Sequence, residues 1–135
     1  MQGARVLIVD DDSSVARILA RTFERGGFIV TTAPDGEWAL QLLSEQQFDA
    51  MICDIQMPRM TGRQLCEHLG TSGPELPACT LIVTSRSEQE ERAWVSGFPA
   101  VRLMEKPVGP KQLLRAVRER LSAAGEQDLK QRRAA

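Results

Sequence analysis

The sequence predicts an α/β fold, a five-stranded parallel sheet held between two layers of helices. Three observations predict it. Short apolar runs alternate along the whole chain with longer amphipathic stretches of helical period. The runs are rich in Val, Ile and Leu and lack the polar alternation of a sheet with one wet face, so helices cover both sides. The connections are brief and carry Gly, Pro, Asp and Ser, as strand–helix crossovers in one domain require.

The first strand is Arg5–Val9, and it runs into Asp10, Asp11 and Asp12. Asp12 or Ser13 caps the helix that follows, where an acidic group meets unpaired N–H donors. Val15, Ile18, Leu19, Thr22 and Phe23 fall at i, i+3, i+4, i+7 and i+8, the expected core stripe of that helix. Arg17, Arg21 and Arg25 take the other side, and Gly26-Gly27 stops it. Phe28–Ala33 is the second strand. Pro34-Asp35-Gly36 turns the chain into a second helix, striped by Ala39, Leu40 and Leu43 and ending about Glu45.

The third strand, Ala50–Asp54, is all apolar until its last residue, and Pro58 forbids it to continue. Met57–Gly62 is a loop and about Arg63–Leu69 a short helix. Thr71–Pro77 is a connection. Thr80–Val83 is the fourth strand, followed by Thr84-Ser85. A polar helix starts near Ser87 and breaks at Gly97-Phe98-Pro99. Val101–Glu105 is the fifth strand, and it enters Lys106-Pro107. Pro110 suits a first helical position, and Leu113, Leu114, Val117 and Leu121 stripe a last helix ending near Gly125. The domain is therefore expected over residues 1–125, with 126–135 a charged tail, frayed or prolonging that helix.

Length and composition narrow the function. The 135 residues make one domain, with 42% hydrophobic and 26% charged residues. Seventeen basic against eighteen acidic side chains leave a net charge of −1, so no global field draws the chain to nucleic acid or an anionic membrane. No apolar run is long enough for a signal peptide or a membrane span. Three scattered cysteines suit a reducing cytoplasm, with Cys53 and Cys66 read as buried, inert thiols.

The strand ends then carry the chemistry. Strand one supplies Asp10 and Asp11, strand three Asp54, strand four Thr84 and strand five Lys106. Strand two supplies nothing. In the flavodoxin-like order 2-1-3-4-5 the four functional strands are adjacent and the silent one is at the edge, so these groups meet in one pocket. Three neighbouring carboxylates disfavour one another's charge and call for a hard divalent cation, Mg²⁺ or Mn²⁺. The Lys106 ammonium and the Thr84 hydroxyl suit an anion. Carboxylate, metal, ammonium and hydroxyl are the parts for phosphoryl transfer to a carboxylate, with Asp54 attacking in line. Relieved repulsion predicts that Asp11→Asn stabilises the metal-free protein.

The segments Leu7–Asp12, Asp54–Gly62, Val83–Ser85 and Lys106-Pro107, within about residues 4–123, resemble the receiver domain of two-component response regulators. The resemblance implies that Asp54 is the phosphoacceptor, that Asp11 binds Mg²⁺ directly, and that Asp10 binds it through water. It adds the Gln56 main-chain carbonyl as a metal ligand, makes Thr84 and Lys106 phosphoryl-binding groups, and expects a cis Lys106–Pro107 bond. It implies a signalling switch rather than an enzyme, phosphorylated by a sensor histidine kinase or a histidine phosphotransfer protein. Downstream it implies an effector protein or a phosphorylation-dependent homodimer. The face would be that of the fourth helix, fifth strand and last helix, which carries Arg92, Trp94, Arg102, Lys111, Arg115 and Arg118. Two features depart from the family. Leu103 stands where an aromatic is usual three residues before the lysine, and Gly97–Ala100 adds length before the fifth strand.

Other classes fit less well. An aspartyl-nucleophile hydrolase usually has a second acid where Gln56 stands, and Asp10–Asp12 is no glycine-rich dinucleotide cradle. His68, the single histidine, is read as incidental rather than as a phosphohistidine donor. A pseudo-receiver that binds its partner without phosphorylation remains the alternative, although the acidic and lysine positions that it usually loses are present.

Overall fold

In the computed structural model, residues 3–57, 59–71, 73–85 and 88–134 are described, with 88–90 and 124–134 defined by backbone alone. The elements are β1 (Arg5–Val9), α1 (Ser13–Arg25), β2 (Ile29–Ala33), α2 (Gly36–Glu45), β3 (Ala50–Asp54), α3 (Gly62–Thr71), β4 (Cys79–Thr84), α4 (Glu88–Val95), β5 (Val101–Glu105) and α5 (Pro110–Ala134). All strand pairs are parallel and the sheet order is β2-β1-β3-β4-β5. The expected elements and order are therefore present. The loop position Pro58 and the expected fourth-helix start near Ser87 lie outside the described residues. The last helix continues past the expected end near Gly125 to Ala134, so residues 126–134 prolong it, the second of the two expectations for the tail.

Strand alternation divides the core in two. Val6 and Ile8, Ala50 and Ile52, and Leu81 and Val83 face α1 and α5, packing on Leu19, Phe23, Leu113 and Val117. Their neighbours Leu7 and Val9, Met51 and Cys53, and Ile82 face α2, α3 and α4, packing on Leu43, Leu65, Leu69 and Trp94. Side chains on both faces are buried because β1 from Val6 on, β3 up to Cys53 and all of β4 lie between helix layers.

The α1 stripe differs from the expected one. Its buried residues are Ala16, Leu19 and Phe23, whereas Val15 and Ile18 are 41% and 56% exposed. The helix is apolar over a wider arc than the sheet can cover, and packing against β2 and α5 selects which part is buried. Arg118, expected on the α4–β5–α5 face, instead donates to the Gly26 carbonyl at the end of α1 (3.0 Å).

Capping is specific where it positions the site. Asp12 Oδ1 accepts from the Ser14 and Val15 N–H groups at 2.9 and 3.2 Å, so Asp12 is the α1 cap. At α3, Thr61 and Gln64 cap each other reciprocally, each side chain accepting from the other's backbone N–H. Gln112 Oε1 accepts from the Gly109 N–H ahead of α5 (2.7 Å).

Candidate functional site

The sheet itself brings the two key carboxylates together. Asp10 continues the Val6, Ile8 series and Asp54 the Ala50, Ile52 series, so both fall on the α1/α5 side of the sheet. Val9 pairs with Cys53 in the β1–β3 register, which places Asp10 beside Asp54 at the carboxyl edge. Ligand oxygens of Asp10, Asp11 and Asp54 all lie within 4.8 Å of one another. Lys106 Nζ donates to Asp54 Oδ2 at 3.1 Å, from an ammonium 43% exposed to a carboxylate 12% exposed. The Lys106 N–H in turn bonds the Thr84 carbonyl (2.7 Å), and the Lys106–Pro107 peptide is cis, as expected.

Two local bonds hold the acids. Asp10 Oδ1 accepts from the Asp12 N–H at 2.8 Å, and Asp54 Oδ1 accepts from the Gln56 N–H at 3.2 Å. Each carboxylate thereby has one oxygen fixed by the loop that follows its strand. Asp10, Asp11, Asp54 and Lys106 line one cavity of about 1080 Å³, whose apolar walls include Val15, Ile18, Pro107 and Val108. Thr84 is fully buried and, by strand alternation, falls with Ile82 on the α2–α4 face rather than with Val83, which lines the cavity. Thr84 does not line the cavity, while its carbonyl is held by the Lys106 N–H. Gln56 is exposed beside Asp54. His68 is exposed on α3 and lines neither this cavity nor the groove at the opposite edge of the sheet.

The donor set suits a hard divalent cation: three carboxylates have oxygens close enough to share one ion, with the Lys106 ammonium bonded to Asp54 beside them. Asp10 is half-buried in the metal-free cluster, while Asp11 is exposed. Burial raises the Asp10 carboxyl above its ordinary value; the Asp12 N–H opposes this, and the Asp54 charge adds to it. An acid raised on folding binds more protons folded than unfolded across that window, so stability falls as pH rises through it. Above the window the penalty is complete. Asp10→Asn should therefore raise the melting temperature in chelator at neutral pH. The gap to wild type should close as pH drops toward the ordinary carboxylate value. A gap that is absent, or that does not change with pH, would contradict this account.

Residues 6–118 match the response regulator receiver domain family over most of the chain. This chain belongs to that family. The receiver domain is 35% identical over 114 residues to the response regulator MprA of Mycolicibacterium vanbaalenii, covering 84% of this chain and 48% of that protein. It is 33% identical over 124 residues to MprA of Mycobacterium avium, covering 92% and 54%. The chain thus spans about half the length of the curated relatives it matches. Among solved structures, a CheY-like receiver domain from Methanospirillum hungatei superposes with a TM-score of 0.79 at 26% identity, covering 93% of this chain and 99% of that one. The chemotaxis response regulator CheY4 of Vibrio cholerae gives 0.76 at 27%, covering 88% and 99%.

One site residue has a role that the sequence does not reveal. A Cβ on Gly62 would stand 3.1 Å from both the Asp54 carbonyl oxygen and the Ile55 Cα, while the Gly62 N–H bonds the Ile55 carbonyl. The receiver domain thus seats the first turn of α3 directly under the Asp54–Ile55 peptide, and backbone cannot yield as a flexible side chain does. Gly62→Val should cost about 1–3 kcal/mol by overpacking and shift the Asp54 loop. Denaturant melts check the first effect, and an unchanged midpoint would refute the close approach. Burial keeps the neighbouring thiols protonated, Cys53 pushed well up and Cys66 to about 12, so neither is a nucleophile.

Proposed function

We propose that this receiver domain is phosphorylated on Asp54 in a Mg²⁺-dependent reaction and switches the binding of a downstream partner. The observation that carries the reading is the convergence of Asp10, Asp11 and Asp54 within metal-ligand distance, with Lys106 bonded to Asp54. Bound there, Mg²⁺ would offset charge on the transferred phosphoryl oxygens. Asp11 and Asp54 are assigned to it directly, Asp10 through water, and the Gln56 carbonyl as the fourth protein group. Lys106 leaves its ion pair to bind the incoming phosphoryl group, and Asp54 Oδ attacks phosphorus as the donor's leaving group departs. Thr84 completes the phosphoryl site by turning its hydroxyl toward Asp54.

That turn supplies the output. Thr84 lies at the junction of β4 with the segment leading to α4, so its rotation reshapes the α4–β5–α5 face. Leu103 is half-buried in the same cluster as Trp94 and Phe98, which pack edge to face at 5.8 Å. The aromatic bulk next to β5 is therefore supplied from α4 and the α4–β5 connection. A cytoplasmic effector or a homodimer reading this face is the assigned partner. Among the described residues no helix is long and apolar enough to cross a membrane.

The direct test is intact mass after incubation with Mg²⁺ and acetyl phosphate. One base-labile phosphoryl group should appear, and a chelator should prevent it. A receiver that binds partners without phosphorylation would gain none. The donor protein, a histidine kinase or phosphotransfer protein, is assigned to the exposed Val15 and Ile18 beside the acidic cluster, which line the same cavity. Ile18→Glu should slow transfer from a phosphohistidine donor about tenfold or more, the scale of losing a buried apolar contact and gaining an unpaired charge. Labelling by acetyl phosphate should not change. Equal loss with both donors would place Ile18 in folding rather than docking.

A further inference from the structure

We propose that a groove at the amino-terminal edge of the sheet receives the carboxyl-terminal turns of α5 from a second copy of this chain. The groove, about 1330 Å³, lies at the end of the molecule opposite the phosphoacceptor site and shares no lining residue with it. Phe48, Leu76 and Leu121 give it an apolar floor, and Glu45, Asp49 and Glu75 stand exposed around it. None of these three acids forms a salt bridge with a described cation. Asp49 accepts from the Arg5 N–H (2.7 Å), while the Arg5 guanidinium is turned to Gln46 and the Phe48 ring. The groove thus suits a segment with one apolar side chain and several cations.

The chain carries such a segment. Leu129-Lys130-Gln131-Arg132-Arg133 has three cations and no acid, and its backbone is the end of the continuous helix α5. It cannot fill its own groove. Leu121 of the same helix already stands at the groove wall. At 1.5 Å per residue the basic segment projects about 14–18 Å beyond Leu121 along the helix axis. A second copy related by a two-fold axis can exchange tails, each basic segment meeting the other's acidic rim, in a closed isologous dimer. Charge complementarity of this kind sets partner and register more than raw affinity. The contact is therefore modest in strength and sensitive to salt.

The test uses the full chain without Mg²⁺ or phosphodonor, by sedimentation velocity over a concentration series. At about 50 mM salt, where the Debye length exceeds about 10 Å, a monomer–dimer equilibrium is expected, weakening as salt rises. The paired substitution Glu45→Lys with Glu75→Lys should weaken dimerisation about tenfold or more. Arg132→Glu with Arg133→Glu should do the same. Mixing these two variants should restore the dimer, because one contact then pairs the reversed groove with the reversed tail and the other pairs a wild-type groove with a wild-type tail. A wild-type chain that stays monomeric in low salt overturns the proposal. So does a dimer indifferent to both pairs of substitutions, which would place the contact on another face. Loss without rescue on mixing would mean that groove and tail do not meet. Circular dichroism of each variant shows whether it is folded.

Discussion

Asp54→Asn should carry no phosphoryl group after incubation with Mg²⁺ and acetyl phosphate, while the wild type gains one. The carboxamide keeps the size and approximate shape of the side chain and can still accept the Gln56 N–H bond made to Oδ1. It has no anionic oxygen to attack phosphorus, so the loss should be complete rather than graded. The change also removes one of the three metal-ligating carboxylates, so Mg²⁺ should stabilise the variant less than the wild type against heat, by linkage. Full labelling of Asp54→Asn would remove the acceptor assignment and leave the acidic cluster as a metal site alone.

Lys106→Ala should slow labelling by acetyl phosphate about 100- to 1000-fold, the usual effect of removing one positioned group that stabilises developing charge. The resting geometry supports this: the ammonium already lies 3.1 Å from Asp54 Oδ2, on the oxygen opposite that held by Gln56. The Lys106 backbone remains tied to the Thr84 carbonyl whatever its side chain, so the substitution removes the charge without releasing the β5 end. Lys106→Arg is expected to rescue poorly. A planar fork cannot occupy the same point as an ammonium without displacing a carboxylate oxygen. An unchanged rate in Lys106→Ala would mean that the metal alone bears the phosphoryl charge.

The alternation of apolar runs and amphipathic helices, the carboxylates at the ends of β1 and β3, and the lysine after β5 are local features of the sequence. They were enough for the fold, the sheet order, and the set Asp10, Asp11, Asp54, Lys106 as one cluster. This is because strand ends in a parallel sheet all reach the same edge. Local pattern does not decide which part of a broad apolar arc is buried: Val15 and Ile18 belong to the periodic stripe but stand exposed, while Ala16, Leu19 and Phe23 are buried. That choice belongs to the neighbours of α1. The same holds for Asp10, whose raised carboxyl depends on burial among residues from other elements. It holds for Gly62, whose missing Cβ matters only because the Asp54 carbonyl lies 3.1 Å away. It holds too for the groove around Phe48, lined by segments more than seventy residues apart in sequence, from Gly3 to Leu121. Periodicity reports what a segment is able to bury; only packing between segments settles what it does bury, and with it the charge, the close approach and the open surface.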